Sequence, residues 1–444
     1  MSSAMKTSRR VHPALIALLL IAAAIFAVRG PGRAIATGNS DLAIVFGSIA
    51  SWVDGLNPYD VVDAQAVWDD REGGTRFAPL SRDPDLFLYP PSTFPVLAPV
   101  GMLTWPIAAI AWTLVNTLAG LVSIWAVARI AGLQGPPRAV FVALALAFAP
   151  LHTAIFTGQT ILPVLALIAL AHAIRVPRAD GRELPKWTPI AVGVMLGVAT
   201  AIKPQVGLPF LAYELVMLRA LPLATGLLIA IAITSLGVLR LEAAGVDWLT
   251  SWRANLESVQ TGGQVTYTPG AQSRVHMVNL HPVVALVFTD AAAVRAVVLA
   301  VVAAIAAGAF AVWIRVRDEP REIGALSIGA ALCMIIVYHR AYDASVLILP
   351  MAWCIQRLLA PTGSPRGQLA AAVSLALVLV YAVPGPATLG WLERTGRVPD
   401  AIASTWLWNN VALIHHAWLM PVLACTLVWC LAGNRPRRGR VPRV

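Results

Sequence analysis

Residues 12–28 read His12-Pro13-Ala14-Leu15-Ile16-Ala17-Leu18-Leu19-Leu20-Ile21-Ala22-Ala23-Ala24-Ile25-Phe26-Ala27-Val28, an uncharged apolar run between Lys6, Arg9 and Arg10 on one side and Arg29-Gly30-Pro31 on the other. A helix rises about 1.5 Å per residue, so about 17–25 such residues cross the roughly 30 Å hydrocarbon layer of a bilayer. The basic leader resembles the start of a signal peptide, but no Ala-x-Ala-like cleavage site closes the run. It reads as a retained anchor.

The pattern recurs along the chain. Candidate spans fall at 12–28, 106–128, 139–156, 159–174, 188–202, 205–219, 221–240, 291–314, 323–338, 344–358, 368–384 and 406–431. With 58% apolar residues, 12% charged residues and a mean hydropathy of +0.73, the chain is not an ordinary soluble protein, which carries about 25% charge. No block alternates every second residue, which excludes a transmembrane β-barrel. The expected fold is an all-α polytopic membrane protein of about twelve spans: one transmembrane domain over 1–431, then a basic tail over 432–444. Cys333, Cys354, Cys425 and Cys430 all lie inside apolar blocks, so neither a disulfide framework nor a Cys-x-x-Cys metal site is indicated.

A net charge of +11 invites a nucleic-acid reading, but its distribution argues against one. With the N-terminus placed inside, 20 of the 33 basic residues and only six acidic ones fall on that side. This satisfies the positive-inside rule at every short loop and puts both termini in the cytoplasm. The arginines of the tail then anchor topology and lipid headgroups.

In this orientation the long loops 29–105, 241–290 and 385–405 face outward, where nucleotides are absent; no Walker loop or convincing dinucleotide fingerprint occurs. The first loop contains Thr37-Gly38-Asn39-Ser40-Asp41, followed by an apolar pattern with small polar interruptions to Val53, expected as an interfacial helix capped by Asn39 or Ser40. Asp54-Gly55-Leu56-Asn57-Pro58-Tyr59 ends it. Asp41, in the first turn, either complements the helix dipole or takes a proton from a hydroxyl.

Further polar groups gather at the same outer depth. Tyr89 precedes the rigid corner Pro90-Pro91 and serves as an interface anchor or a ligand, and residues 92–103, too short to cross, suggest a re-entrant piece. Gln159, in the tight Gly158-Gln159 hairpin, either enters a cavity or bonds between helices. Lys203, in Ile202-Lys203-Pro204-Gln205, must snorkel or meet an anion. Tyr338-His339-Arg340-Ala341-Tyr342-Asp343 packs five polar side chains between two spans, as a functional cluster or as an Arg340–Asp343 pair closing the hairpin.

Other pairs have simpler accounts. Asp69-Asp70 and Asp83-Pro84-Asp85 read as solvated turns, and His415-His416 as interfacial residues. The loop with Tyr267-Thr268 and Asn279-Leu280-His281 suits a lid or an acceptor groove.

The order of these segments (an Asp after the first span, Asn-Pro-Tyr, Tyr-Pro-Pro, Gly-Gln, Lys-Pro-Gln and a late His-x-x-Tyr-Asp) is similar to glycosyltransferase family 87 of the GT-C superfamily. The similarity spans residues 37–350, about seventy percent of the chain. It implies a GT-C type membrane enzyme of the plasma membrane with an exoplasmic active site. Such an enzyme moves mannose or arabinofuranose, with inversion, from a polyprenyl-phosphate donor to a cell-envelope glycan or glycolipid. By the same resemblance Asp41 is the general base, and Lys203 neutralises the departing phosphate. His339 and Arg340 hold the donor headgroup, and Tyr342 and Asp343 shape its pocket, with Gln159 and Tyr89 beside them. No cofactor, metal or nucleic acid is implied. No sugar-reading signature is present, and residues 63–85 match no family feature.

Two other classes remain. A transporter or flippase would show paired halves and midplane polar residues, and neither is found. An O-antigen-type ligase would use a large outer loop with basic and His residues but would not need Asp41.

Overall fold

A computed structural model describes residues 12–37, 39–71, 87–177, 183–261, 266–315, 321–359, 364–383 and 385–433. Lys6, Arg9, Arg10, the Asp83-Pro84-Asp85 turn and the basic tail from residue 434 lie outside them. Among the described residues the regular structure is helical, and the one isolated extended pairing joins Met277 to Arg340.

All twelve expected stretches are helical, yet they differ in length. Five helices are long and apolar enough to cross alone: Pro13–Ala36, Trp105–Ile130, Ala220–Ala243, Ala291–Trp313 and His415–Ala432. Two bent pairs raise the number to seven, one of them Gly135–Leu146 with Ala149–Thr157, angled by 46°. Pro150 in the first turn of the second half accounts for that break, because it has no amide hydrogen to continue the ladder to the Leu146 carbonyl, and Phe148 is extended there (ψ +113°). The helices Ile161–Ala173, Thr188–Ile202 and Glu322–Ile336 are apolar but shorter. The protein is thus a polytopic helical membrane protein, with five to seven helices long and apolar enough to span among the described residues.

In Pro13–Ala36, Ala220–Ala243 and Ala291–Trp313 only 17% of the most apolar window is buried within the chain. Leu20, Leu228 and Leu239 remain about two-thirds exposed. Helices that are apolar all round yet unburied by protein are suited to lipid.

Two cores organise the rest. The larger runs through the helical bundle from Ala22 to Leu431. The smaller is aromatic and built from the first long loop, with Phe46, Trp52, Tyr59, Trp68, Phe87, Phe94, Trp105 and Trp112. Here the structure departs from the expectation of an interfacial helix. Helix Ser40–Asp54 does form and ends at Gly55 in the left-handed region (φ +78°), but every residue from Leu42 to Trp52 except Ile44 is buried. Its small polar residues do not face water, as Ser51 shows by donating to its own helix at the Gly47 carbonyl, 2.9 Å. Asn39 precedes the helix at φ +67° and caps nothing.

The short helix Thr93–Gly101 lies against Ser40–Asp54 and ends a second helix in passing. Ser92 Oγ donates to the Ala201 carbonyl (2.7 Å) and Thr93 Oγ1 to that of Ile202 (3.2 Å), satisfying acceptors left open where Thr188–Ile202 stops. A later segment fastens the aromatic layer from outside. Trp52 Nε1 donates to the Gly237 carbonyl (3.2 Å), Arg240 Nε to that of Trp52 (2.9 Å), Trp252 Nε1 to that of Leu88 (3.2 Å) and Asn255 Nδ2 to that of Tyr59 (2.9 Å).

Candidate active site

Asp41 is set by two backbone devices. The Asn39 amide donates to the Phe156 carbonyl at 2.7 Å, tying the start of helix Ser40–Asp54 to the end of Ala149–Thr157. Gly158 then turns the chain at φ +74°; a Cβ there would sit 2.6 Å from Leu42 Cβ and 2.9 Å from Asn39 Oδ1. Only glycine fits that approach and that backbone conformation. Trp112 Nε1 holds the Gly158 carbonyl at 2.7 Å, and the hairpin delivers Gln159, whose Nε2 donates to Asp41 Oδ2. Ser40 Oγ donates to Asp41 Oδ1 at 3.2 Å. Both partners are neutral, and Asp41 has no ion-pair partner among the described residues.

Gln159 serves both roles considered for it, bonding between elements while lining a cavity. Its Oε1 accepts from Tyr89 OH at 3.1 Å, and that hydroxyl lies 3.3 Å from Thr160 Oγ1. The Pro90-Pro91 corner fixes Tyr89, whose carbonyl accepts from Tyr59 OH at 3.0 Å.

Lys203 follows helix Thr188–Ile202 in a non-helical conformation, and Pro204 opens the next helix. A cation there complements the negative end of the preceding helix. Its anion is internal: Lys203, 2% exposed, pairs through Nζ with Asp343 Oδ1, and the same carboxylate meets His339 Nδ1 through Oδ2 at 3.0 Å. Lys203 also lies 5.5 Å from the centre of the Tyr342 ring. His339 is fully buried behind Asp343, and its Nε2 has no partner.

The hairpin reading of an Arg340–Asp343 pair does not hold, because Asp343 is already occupied by Lys203 and His339. Arg340 instead donates to Tyr338 OH and lies over that ring, 5.7 Å from its centre. It has no carboxylate within ion-pair distance among the described residues. Nearby, burial and then the charges of Arg340 and Arg394 push the His276 imidazole below its usual range.

One cavity of about 260 Å³ brings these groups together. Asp41, Tyr89, Gln159, Lys203, Arg340, Tyr342 and Asp343 all line it. His339 does not; its place is behind Asp343, where it positions the carboxylate. Phe87, Gln205 and Tyr338 line the cavity too; Gln205 and Tyr338 come from the same polar segments as Lys203 and Arg340, whereas nothing in the local sequence marks Phe87. His415 and His416 lie elsewhere, His415 Nδ1 against the Ala412 carbonyl at 2.7 Å and His416 stacked 4.5 Å from Tyr381. Among the described residues no group of three or more His, Cys, Asp or Glu is placed to hold a metal ion.

The arrangement pairs one carboxylate held only by neutral donors with a cationic rim across a small, partly apolar chamber. It can accept a proton at Asp41 and stabilise negative charge opposite. A family model described as Glycosyltransferase family 87 matches residues 87–338, which include Tyr89, Gln159, Lys203 and Tyr338 but neither Asp41 nor the segment from His339 to Asp343. No curated protein and no solved structure matches the chain.

Proposed function

Because the chain belongs to glycosyltransferase family 87 and is a membrane glycosyltransferase, we propose that it moves a sugar from a polyprenyl-phosphate carrier to a hydroxyl of a cell-envelope glycan or glycolipid. The observation that carries this reading is that Asp41 and Arg340, each without an ionic partner among the described residues, face one cavity that also holds the Lys203–Asp343 pair. By the family resemblance the sugar is mannose or arabinofuranose and the membrane the plasma membrane, and the charge bias of the loops supports a site at its exoplasmic face.

The step balances with the chain's own groups. Asp41 removes the proton of the acceptor hydroxyl while that oxygen bonds to the anomeric carbon. The bond from that carbon to the phosphate oxygen breaks, its electron pair leaves on the prenyl phosphate, and the configuration inverts. Arg340 meets the charge that develops on the phosphate, since Lys203 is largely neutralised by Asp343. Gln159 and Ser40 hold the two carboxylate oxygens in register, so the base is oriented without being discharged.

The test is transfer from a short-chain prenyl-phosphate mannose or arabinofuranose into membrane acceptors, with the anomeric configuration of the product assigned by NMR. Asp41→Asn should insert normally and lose transfer. Retained turnover in that variant removes Asp41 as the base, and a product of retained configuration removes the single-displacement scheme.

A further inference from the structure

Helix Thr188–Ile202 delivers Lys203 to the first cavity at one end, and at its other end, about 22 Å away for its 15 residues, lies a cavity of about 530 Å³. Helix Ala220–Ala243 begins at the same place: Thr188 and Pro189 line the cavity from one helix, and Ala220, Leu221 and Pro222 from the other. The two run side by side at close quarters. A Cβ on Gly193 would sit 2.6 Å from the Pro222 carbonyl oxygen, and one on Gly197 2.6 Å from that of Gly226. The small residues thus let two helix N-termini open into one space, and the positive end of each favours an anion there.

Side chains add to that field. Arg175, Lys186 and Arg219 all line the cavity. Arg175 is held by Glu214 with two bonds of 2.6 and 2.7 Å. Arg219 meets Glu322 at 3.4 Å and Glu214 at 3.6 Å, both through Nη1, so its Nε and Nη2 remain unbonded among the described residues. These two cations balance the two carboxylates, and Lys186 is the surplus, with no carboxylate at ion-pair distance among the described residues. A further donor is stranded at the wall: Thr188 is only 5% exposed, yet its hydroxyl makes no hydrogen bond among the described residues, and buried polar groups are normally satisfied. Leu184 and Leu221 also line the cavity, 36% and 52% exposed, and the helix that Leu221 opens is one of those left apolar and unburied by the chain. A pocket of unspent donors and one surplus cation beside lipid-facing leucines suits an anion that carries its own hydrocarbon.

We infer that this cavity, which plays no part in the proposed transfer, binds the phosphate of an anionic phospholipid. Lys186 and the unbonded edge of Arg219 meet the phosphate oxygens, the Thr188 hydroxyl donates beside them, and Arg175 stays with Glu214. The acyl chains run along helix Ala220–Ala243. The charge bias of the loops supports a place for this lipid in the cytoplasmic leaflet.

The test is native mass spectrometry of the full chain in detergent, titrated with phosphatidylglycerol, phosphatidylcholine or glycerol 3-phosphate. Phosphatidylglycerol should bind about tenfold more tightly than the zwitterionic lipid, which brings its own cation. Lys186→Gln, on an exposed side chain, should remove that preference. Thr188→Val keeps the shape of a hydroxyl that bonds nothing in the chain, so the fold should be untouched and phosphatidylglycerol should bind about fivefold more weakly. Arg138→Gln, an exposed arginine outside the cavity, should change nothing. Unchanged phosphatidylglycerol affinity in both Lys186→Gln and Thr188→Val overturns the proposal. So does an equal loss in Arg138→Gln, which would show diffuse surface attraction only. Glycerol 3-phosphate binding as tightly as phosphatidylglycerol would assign the phosphate to a soluble ester and overturn the lipid as its source.

Discussion

Three helices carry polar groups at both ends, and the two ends behave differently. Ile161–Ala173 follows Gln159 and Thr160 and carries His172 near its other end; Pro204–Val216 follows Lys203 and carries Glu214; Arg321–Ile336 carries Glu322 in its first turn and leads into Tyr338 and His339. At the Glu214 end the charges cancel. Arg175 grips fully buried Glu214 with two bonds of 2.6 and 2.7 Å, Arg219 lies 3.6 Å from Glu214 and 3.4 Å from Glu322, and His172 Nδ1 lies 2.9 Å from Glu322. At the Asp41 end one pair cancels, and a carboxylate and a guanidinium are left facing a cavity. Buried ions alone do not mark a site, because they also serve as struts. Uncompensated charge beside open volume is the more telling sign.

The largest contrast should come from Asp41→Asn against Glu214→Gln. Loss of a general base lowers turnover by about 10²–10⁴-fold, whereas turnover per folded molecule should stay near wild type when Glu214 is neutralised. Comparable loss of specific activity in both would break the distinction between the ends. Glu214→Gln should act on stability, since it breaks the two charge-assisted bonds between fully buried Glu214 and part-buried Arg175, a loss of about 1–3 kcal/mol read as a lower thermal midpoint in detergent. Arg340→Gln should lower kcat by about 10²–10³-fold with the thermal midpoint unchanged, separating a charge that acts on the leaving group from one that braces helices. The smallest effect expected is that of Gly158→Ala, about 1 kcal/mol or somewhat more of stability from the positive φ and the crowding on Leu42, with turnover falling as Gln159 shifts away from Asp41. An alanine variant as stable and active as wild type would show that the hairpin does not set the base.

Much of this was legible in the sequence, for identifiable reasons. Spans declare themselves through uninterrupted apolar length, and the residues that meet in the first cavity come from segments whose polarity stands out between spans. The small polar interruptions of helix Ser40–Asp54 suggest an interfacial helix, while the layer that buries it draws on positions as distant as Trp105 and Leu241, which no local pattern announces. The partner of Lys203 is 140 residues away, a pairing that no local spacing encodes. Nor does the order His-Arg-Ala-Tyr-Asp say which side chain turns inward; the tight turn Ala341–Leu347 puts His339 behind Asp343 and leaves Arg340 at the rim.

The ties that close the aromatic layer also set a timetable for biosynthesis. Trp52 and Tyr59 find their outer partners 185 and 196 residues later in the chain. At about 5–20 residues per second of translation, these rings wait roughly ten to forty seconds for the ribosome to supply Gly237 and Asn255. Until then the aromatic layer of the nascent protein lacks the ties that close it from outside.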